Sequence, residues 1–189
     1  MARETGPVCR MCRREGIKLF LKGPRCDTPK CAYERRESPP GMSTFRRGKS
    51  TDYAIHLREK QKVKRYYGVF DRQFRNYFKQ AERAKGNTGA ALLTLLERRL
   101  DNVIYKLGFG QSRAASRQAV VHGHVYLNDR RMNIPSYLVK VGDKVSVKNS
   151  ERSQTMIRQR LEELGEPHVQ NWMTLDMVKL EAQIVAMPA

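Results

Sequence analysis

Residues 100–118 read Leu100-Asp-Asn-Val-Ile-Tyr-Lys-Leu-Gly-Phe-Gly-Gln-Ser-Arg-Ala-Ala-Ser-Arg-Gln118, and their reading decides the fold. Together with the preceding turns, Ala91, Leu92, Leu95, Leu96, Leu100, Val103, Ile104 and Leu107 recur at helical spacing and trace one buried face. Gly108 and Gly110 stop that helix. Ser112 opens a short further helix, its hydroxyl placed to cap first-turn amides that have no partner within the helix. Arg113 and Arg117 fall four apart on one stripe of it, and a helix N-terminus beside two guanidinium groups suits an anionic backbone.

Downstream of Gly123 the period changes from helix to strand. Val125-Tyr126-Leu127 and Arg130-Arg131-Met132 flank Asn128-Asp129, a two-residue hairpin signal. Val139, Val141, Val145 and Val147 alternate with Lys140, Lys144, Ser146 and Lys148 around Gly142-Asp143, which predicts valines on one face of a small antiparallel sheet and a basic face opposite. A helix is expected from Ser153 to Leu164, and closing core elements from Trp172 to Ile184.

Upstream, Lys85-Gly86-Asn87-Thr88-Gly89 breaks the chain. Before it, a helix opening at an Asp71 cap carries Phe74, Tyr77, Phe78 and Ala81 as a core stripe, with Arg72, Arg75 and Lys79 outward. A strongly basic helix, capped by Asp52 and ended by Gly68, bears Arg58, Lys60 and Lys62 as candidate contacts to a polyanion. Residues 38–51, with Pro39-Pro40-Gly41 and then Arg46, Arg47 and Lys49, form a basic linker whose cations are placed to meet phosphate.

The cysteines are confined to residues 1–37: Cys9, Cys12, Cys26 and Cys31, spaced C-x2-C-x13-C-x4-C. A pair two residues apart turns both sulfurs into one pocket, and a second pair beyond a loop completes four soft ligands. Tetrahedral thiolates suit zinc; four cysteines also suit an iron–sulfur cluster, although this spacing is unlike the tight ferredoxin run. In a reducing compartment metal is favoured over two disulfides.

Thirty-seven Lys and Arg against 19 Asp and Glu leave a formal charge of +18, with +11 of it in residues 1–65. The partner is therefore polyanionic, and binding weakens as salt rises because Lys and Arg contacts release condensed counterions. The longest nearly apolar run, Gly89 to Leu96, is too short to span a bilayer, and Met1-Ala-Arg-Glu4 has no hydrophobic signal core. A cytoplasmic chain with no membrane partner is expected. The four histidines, His56, His122, His124 and His168, form no nucleophile–base constellation.

Leu100 to Phe109, Ser112 to Gln118, His122-Gly-His124, the Asn128 hairpin and Val141-Gly-Asp-Lys-Val145 together resemble the S-four RNA-binding module. Asp52 to Lys62, Tyr67-Gly68, Arg72-Gln-Phe-Arg75 and Gly6 to Gly16 with its first cysteine pair narrow the resemblance to the bacterial small-subunit ribosomal protein S-four family (uS-four, four-cysteine form), over essentially the whole chain. The resemblance implies an α+β chain: a helical first domain with a metal-bound N-terminal segment, then an S-four-type domain of helices packed on a small antiparallel sheet. The domains expected are 1–37 for the cysteine segment, 38–51 for the linker, 52–94 for the helical domain and 95–189 for the RNA-binding domain with its C-terminal elements.

The resemblance also implies direct binding to small-subunit ribosomal RNA (16S rRNA in bacteria), an early role in subunit assembly, contact with ribosomal protein S-five, and a place near the path by which messenger RNA enters, where family members influence decoding accuracy. It makes Ser112, Arg113, Arg117, Gln118, His122, His124, Arg130 and Arg131 RNA-facing positions. Family members continue past a stretch like Ile184 to Pro188 into a closing segment, and contacts of that segment do not carry over here.

Two rival readings fall on context. Arg99-Leu100-Asp101 superficially matches a pseudouridine synthase motif, but it precedes the module inside an amphipathic helix, where Asp101 is expected to pair with Arg98 or to cap. A zinc-containing DNA-binding regulator would present a short isolated helix to the major groove. None is expected after Cys31, and two basic regions suit an irregular RNA better.

Overall fold

The computed structural model describes residues 4–42, 51–165, 167 and 169–188. The chain divides into two compact units, one up to Arg75 and one from Asn76. The linker cations Arg46, Arg47 and Lys49 lie outside the described residues, as does His168.

In the first unit, α1 (Cys9–Glu15) ends at Gly16, whose φ of 68° supplies the left-handed turn that a helix C-terminus favours. A 3-10 turn (Gly23–Asp27) and α2 (Ala32–Arg35) follow, and then α3 (Asp52–Tyr66). The expected cap shifts by one residue: Thr51 is the N-cap of α3, its hydroxyl accepting from Ala54 N at 3.3 Å, and Asp52 lies in the first turn. Residues 38–40 are held to α1, for Arg13 Nε donates to Ser38 O at 2.8 Å and Arg14 Nη2 to Pro40 O at 3.2 Å. Glu15 has a fully buried side chain, and its Oε1 receives Arg58 Nη1 at 3.2 Å and also Arg65, which pins α3 to α1. α4 (Asp71–Glu82) carries the division between units within it. Phe74, Tyr77 and Ala81 are buried as expected, whereas Phe78 is 43 % exposed and leaves the core stripe.

The second unit departs from the sequence reading in one instructive place. The single helical face expected from Ala91 to Leu107 is two helices, α5 (Thr88–Glu97) and α6 (Leu100–Lys106). Between them the backbone pairs with residues 135–139: Val139 N donates to Arg98 O at 2.9 Å, Leu100 N to Tyr137 O at 2.8 Å and Asp101 N to Pro135 O at 3.1 Å. Amides lost to the helix are thus satisfied across the chain, as burial demands.

α7 (Arg113–Val121) follows, and Ser112 is its N-cap, the hydroxyl accepting from Ala115 N at 3.2 Å. A five-stranded sheet has the order β2-β1-β3-β5-β4, all neighbours antiparallel, from β1 (Val125–Leu127), β2 (Arg130–Arg131), β3 (Lys144–Val147), β4 (Met173–Asp176) and β5 (Glu181–Ile184). Asn128 and Asp129 take φ of 49° and 62°, the pair of positive angles that a two-residue hairpin requires. Asn128 also accepts from Lys144 N and donates to Asp143 Oδ1, locking the hairpin to the next turn.

The predicted two-faced valine strand is shorter than expected. Val139 is buried but Val141 stands 51 % exposed in the turn, and Val145, Ser146 and Val147 are all buried, so only Lys144 of the expected basic face remains on the strand, paired with Glu181 at 2.9 Å. α8 (Glu151–Leu164) begins two residues ahead of its predicted start. The core gathers Leu100, Val103, Ile104, Leu107, Phe109, Val120, Val145, Ile157, Trp172, Leu180 and Ile184 from α6, α7, α8, the sheet and the turns beside them.

Gly110 packs closely against α7. A Cβ there would come 2.9 Å from Ser116 N and 3.0 Å from Ser116 Cα, both backbone atoms of α7 that can move only with the helix. Gly110→Ala is expected to lower stability by about 1–3 kcal/mol, the usual cost of overpacking, as read by chemical unfolding; an unchanged midpoint would contradict the packing described.

Candidate nucleic-acid interface

The short helix α7 owes its attitude to α6. Arg99, fully buried, grips the Asp101 carboxylate with Nε–Oδ1 at 3.0 Å and Nη2–Oδ2 at 2.5 Å, while its Nη1 donates to Tyr77 Oη at 2.9 Å. Burial acts to lower the Arg99 pKa, but Asp101 overrides it and raises the group above its ordinary value. The same Asp101 Oδ2 accepts from Arg117 Nη1 at 3.1 Å. Its partners are therefore Arg99 and Arg117, not the expected Arg98, which donates instead to Val139 O.

Asn102 treats the other arginine of α7 similarly. Its Oδ1 accepts from Arg113 Nε at 2.9 Å and its Nδ2 donates to Glu97 Oε2 at 2.8 Å, with the Arg113 guanidinium 4.5 Å from the centre of the Tyr105 ring. The sequence reading gave Asn102 and Tyr105 no role and Asp101 only an ion pair with Arg98 or a cap, whereas all three hold the arginines of α7. Their signal was available, since an Asp-Asn pair on an otherwise apolar helical face needs partners.

Beyond α7 the chain turns through His122-Gly123-His124. The imidazole rings lie 6.4 Å apart at 25°. The Arg131 guanidinium packs directly on Gly123: a Cβ there would meet Nη2 at 2.7 Å and Cζ at 2.8 Å, and φ is +75°. Glycine thus lets a cation from β2 lie on the histidine turn. Gln118, His122, Arg130 and Arg131 are exposed and His124 is half-buried, whereas Ser112 and Arg113 are buried and Arg117 nearly so. Burial holds the His124 imidazole below its ordinary pKa, and His122, Arg160, Lys148 and Arg152 push it further down.

On α3 the candidate cations are engaged by carboxylates of their own unit. Arg58 meets Glu15, Lys60 meets Asp71 Oδ1 at 3.0 Å, and Lys62 meets Glu59 at 2.5 Å. Lys60, then Arg75 and Lys64, hold Asp71 below the usual carboxylate range. Tyr67 is buried and packs edge-on against the half-buried Tyr66 at 5.0 Å.

The four cysteines are free thiols, with Cys12, Cys26 and Cys31 buried and Cys9 partly exposed. Burial raises the Cys12 thiol, and Cys26, Cys9 and Cys31 raise it further, so the four sulfurs lie within electrostatic reach of one another. Among the described residues no three Cys, His, Asp or Glu side chains are gathered closely enough to grip an ion as they stand. The donor set itself, four soft thiols with two on one face of α1, fits a tetrahedral thiophilic metal.

Known proteins give the arrangement its family. A family model for the ribosomal protein S4/S9 N-terminal domain matches residues 3–97, and one for the S4 domain matches residues 98–145. The chain belongs to the uS4 family of ribosomal proteins. Small ribosomal subunit protein uS4 of Halothermothrix orenii is 52 % identical over 188 residues, covering all of this chain and 90 % of that one. The uS4 proteins of Thermus thermophilus and Desulfitobacterium hafniense are 50 % and 54 % identical over 189 residues, again with 90 % of the relative covered. As a uS4 family member the chain has a structural role in the small ribosomal subunit and is not an enzyme. No described helix is long and apolar enough to cross a membrane.

Proposed function

We propose that the chain binds small-subunit ribosomal RNA directly, nucleates assembly of the subunit, and contributes to translational accuracy through contact with ribosomal protein S5 and a place beside incoming messenger RNA. The observation that carries the RNA reading is the cationic rim of the second unit, where Arg130, Arg131, His122 and Gln118 are exposed above α7, itself locked by Asp101 and Asn102. Arg113 and Arg117 of α7, and Arg46, Arg47 and Lys49 of the linker, are further candidate cations of this interface.

In the first unit we propose that Cys9, Cys12, Cys26 and Cys31 hold zinc. A bound zinc would supply a cross-link in place of an apolar core. Its task is structural, keeping the N-terminal segment folded against α3. Competition tests the RNA reading: small-subunit ribosomal RNA bound to the full chain is expected to resist duplex DNA of equal length, at matched salt, about a hundredfold better than it resists unlabelled copies of itself. Equal displacement by both would refute specific recognition.

A further inference from the structure

The histidine turn packs against Lys148 and against the first turn of α8, which carries Arg152. Lys148, in the link from β3 to α8, donates its backbone N–H to His124 O at 2.8 Å. The buried Ser153 of α8 places Oγ 2.9 Å from His124 Nδ1 and accepts from Ser150 Oγ at 2.8 Å, so the first turn of α8 starts against the imidazole. Among the described residues, the charged or titratable groups acting on His124 are Arg152 and Arg160 of α8, with Lys148 and His122, and all four are basic.

Lys148 and Arg152 are exposed, and among the described residues neither side chain is in an ion pair. Arg160 is half-buried and donates to Phe109 O at 3.2 Å, tying α8 to the loop after α6. Glu151, exposed in the first turn of α8, is the sole carboxylate between residues 148 and 160. The β3–α8 link and the first turn of α8 thus bring Lys148 and Arg152 beside the histidine turn, where an anion would be attracted by both.

We propose that Lys148 and Arg152, with His122 and His124 and with Arg160 behind them, form a second phosphate-binding cluster that extends the RNA interface onto α8, and that His124 takes up a proton when the RNA backbone seats there. The proposal rests on the reading of the chain as an RNA-binding protein. In the free protein burial and like charge keep His124 neutral around neutral pH; a phosphate among the same groups favours the imidazolium. The pKa thus lies below the ordinary imidazole value when free and rises on binding, so affinity rises as pH falls through the bound value and levels off below the free one.

The test uses the full chain with small-subunit ribosomal RNA, comparing the parent, Lys148→Ala/Arg152→Ala and Arg130→Ala/Arg131→Ala. Loss of two phosphate contacts is expected to weaken binding about tenfold or more and to flatten the log–log salt slope by about 1.5, with the melting temperature unchanged because both side chains are exposed. His124 followed by NMR should gain a proton on binding near neutral pH, and His124→Gln should remove the pH dependence. Parental affinity and slope in the Lys148/Arg152 variant, alongside weakening in the Arg130/Arg131 variant, would overturn the cluster and leave the RNA reading standing. No preference of the parent for this RNA would overturn both.

Discussion

Replacing Asp101 by Ala is expected to lower the stability of the second unit by about 3–5 kcal/mol, the range measured when one partner of a buried ion pair is removed. Arg99 is 0 % exposed and spends two of its donors on that carboxylate, so the truncation strands a guanidinium that has no route to water. Asp101→Asn keeps one acceptor and is expected to cost less. The loss extends to binding, because Arg117 leans on the same Oδ2 from α7. Urea unfolding followed by near-ultraviolet absorbance reads the first effect and RNA titration of the folded fraction the second. A cost below about 1 kcal/mol would mean that the pair contributes no more than a surface bridge.

Metal removal is expected to have the second large effect, confined to the first unit. Among residues 4–37 the buried side chains are Cys12, Glu15, Leu19, Cys26 and Cys31, of which Leu19 alone is aliphatic. Such a core cannot offset the entropy of ordering the segment, whereas structural zinc in small modules binds with about 10–16 kcal/mol of apparent free energy. Chelation of the full chain should therefore expose bonds around residues 4–37 to limited proteolysis while the part from Asn76 stays resistant. Unchanged cleavage after complete metal removal, verified by elemental analysis, would contradict the structural role proposed for the thiols.

Local chemistry was legible where the deciding interaction is local. Asn128-Asp129 announces its hairpin because few residues tolerate two successive positive φ angles, and Ser112 announces a helix start because its hydroxyl serves an amide three residues on. The break at Arg98–Arg99 was not legible. Helical spacing continues through it, and the helix yields only because residues 135–139 offer hydrogen bonds from elsewhere in the chain. Val141 reads as strand by alternation yet falls in the turn that Asp143 organises, its Oδ2 accepting from Lys140 N at 2.8 Å.

The interface divides the same way. Sequence identifies cations but not their commitments: Arg58, Lys60 and Lys62 look like a free basic helix until Glu15, Asp71 and Glu59 are seen to meet them. Two of those partners are tertiary neighbours that no spacing rule could name. Lys148 reads as the outward face of a strand and Arg152 falls just ahead of the expected helix, and only the fold brings them to His124.

The central claim is that fixed cationic surfaces hold one structured ribosomal RNA. Backbone footprinting of small-subunit ribosomal RNA with the full chain as sole protein tests it most directly. The expected result is protection gathered at one multi-helix junction, weakened in Arg130→Ala/Arg131→Ala together with a salt slope flatter by about 1.5. Protection scattered evenly along the RNA, unchanged by that variant, would contradict the account.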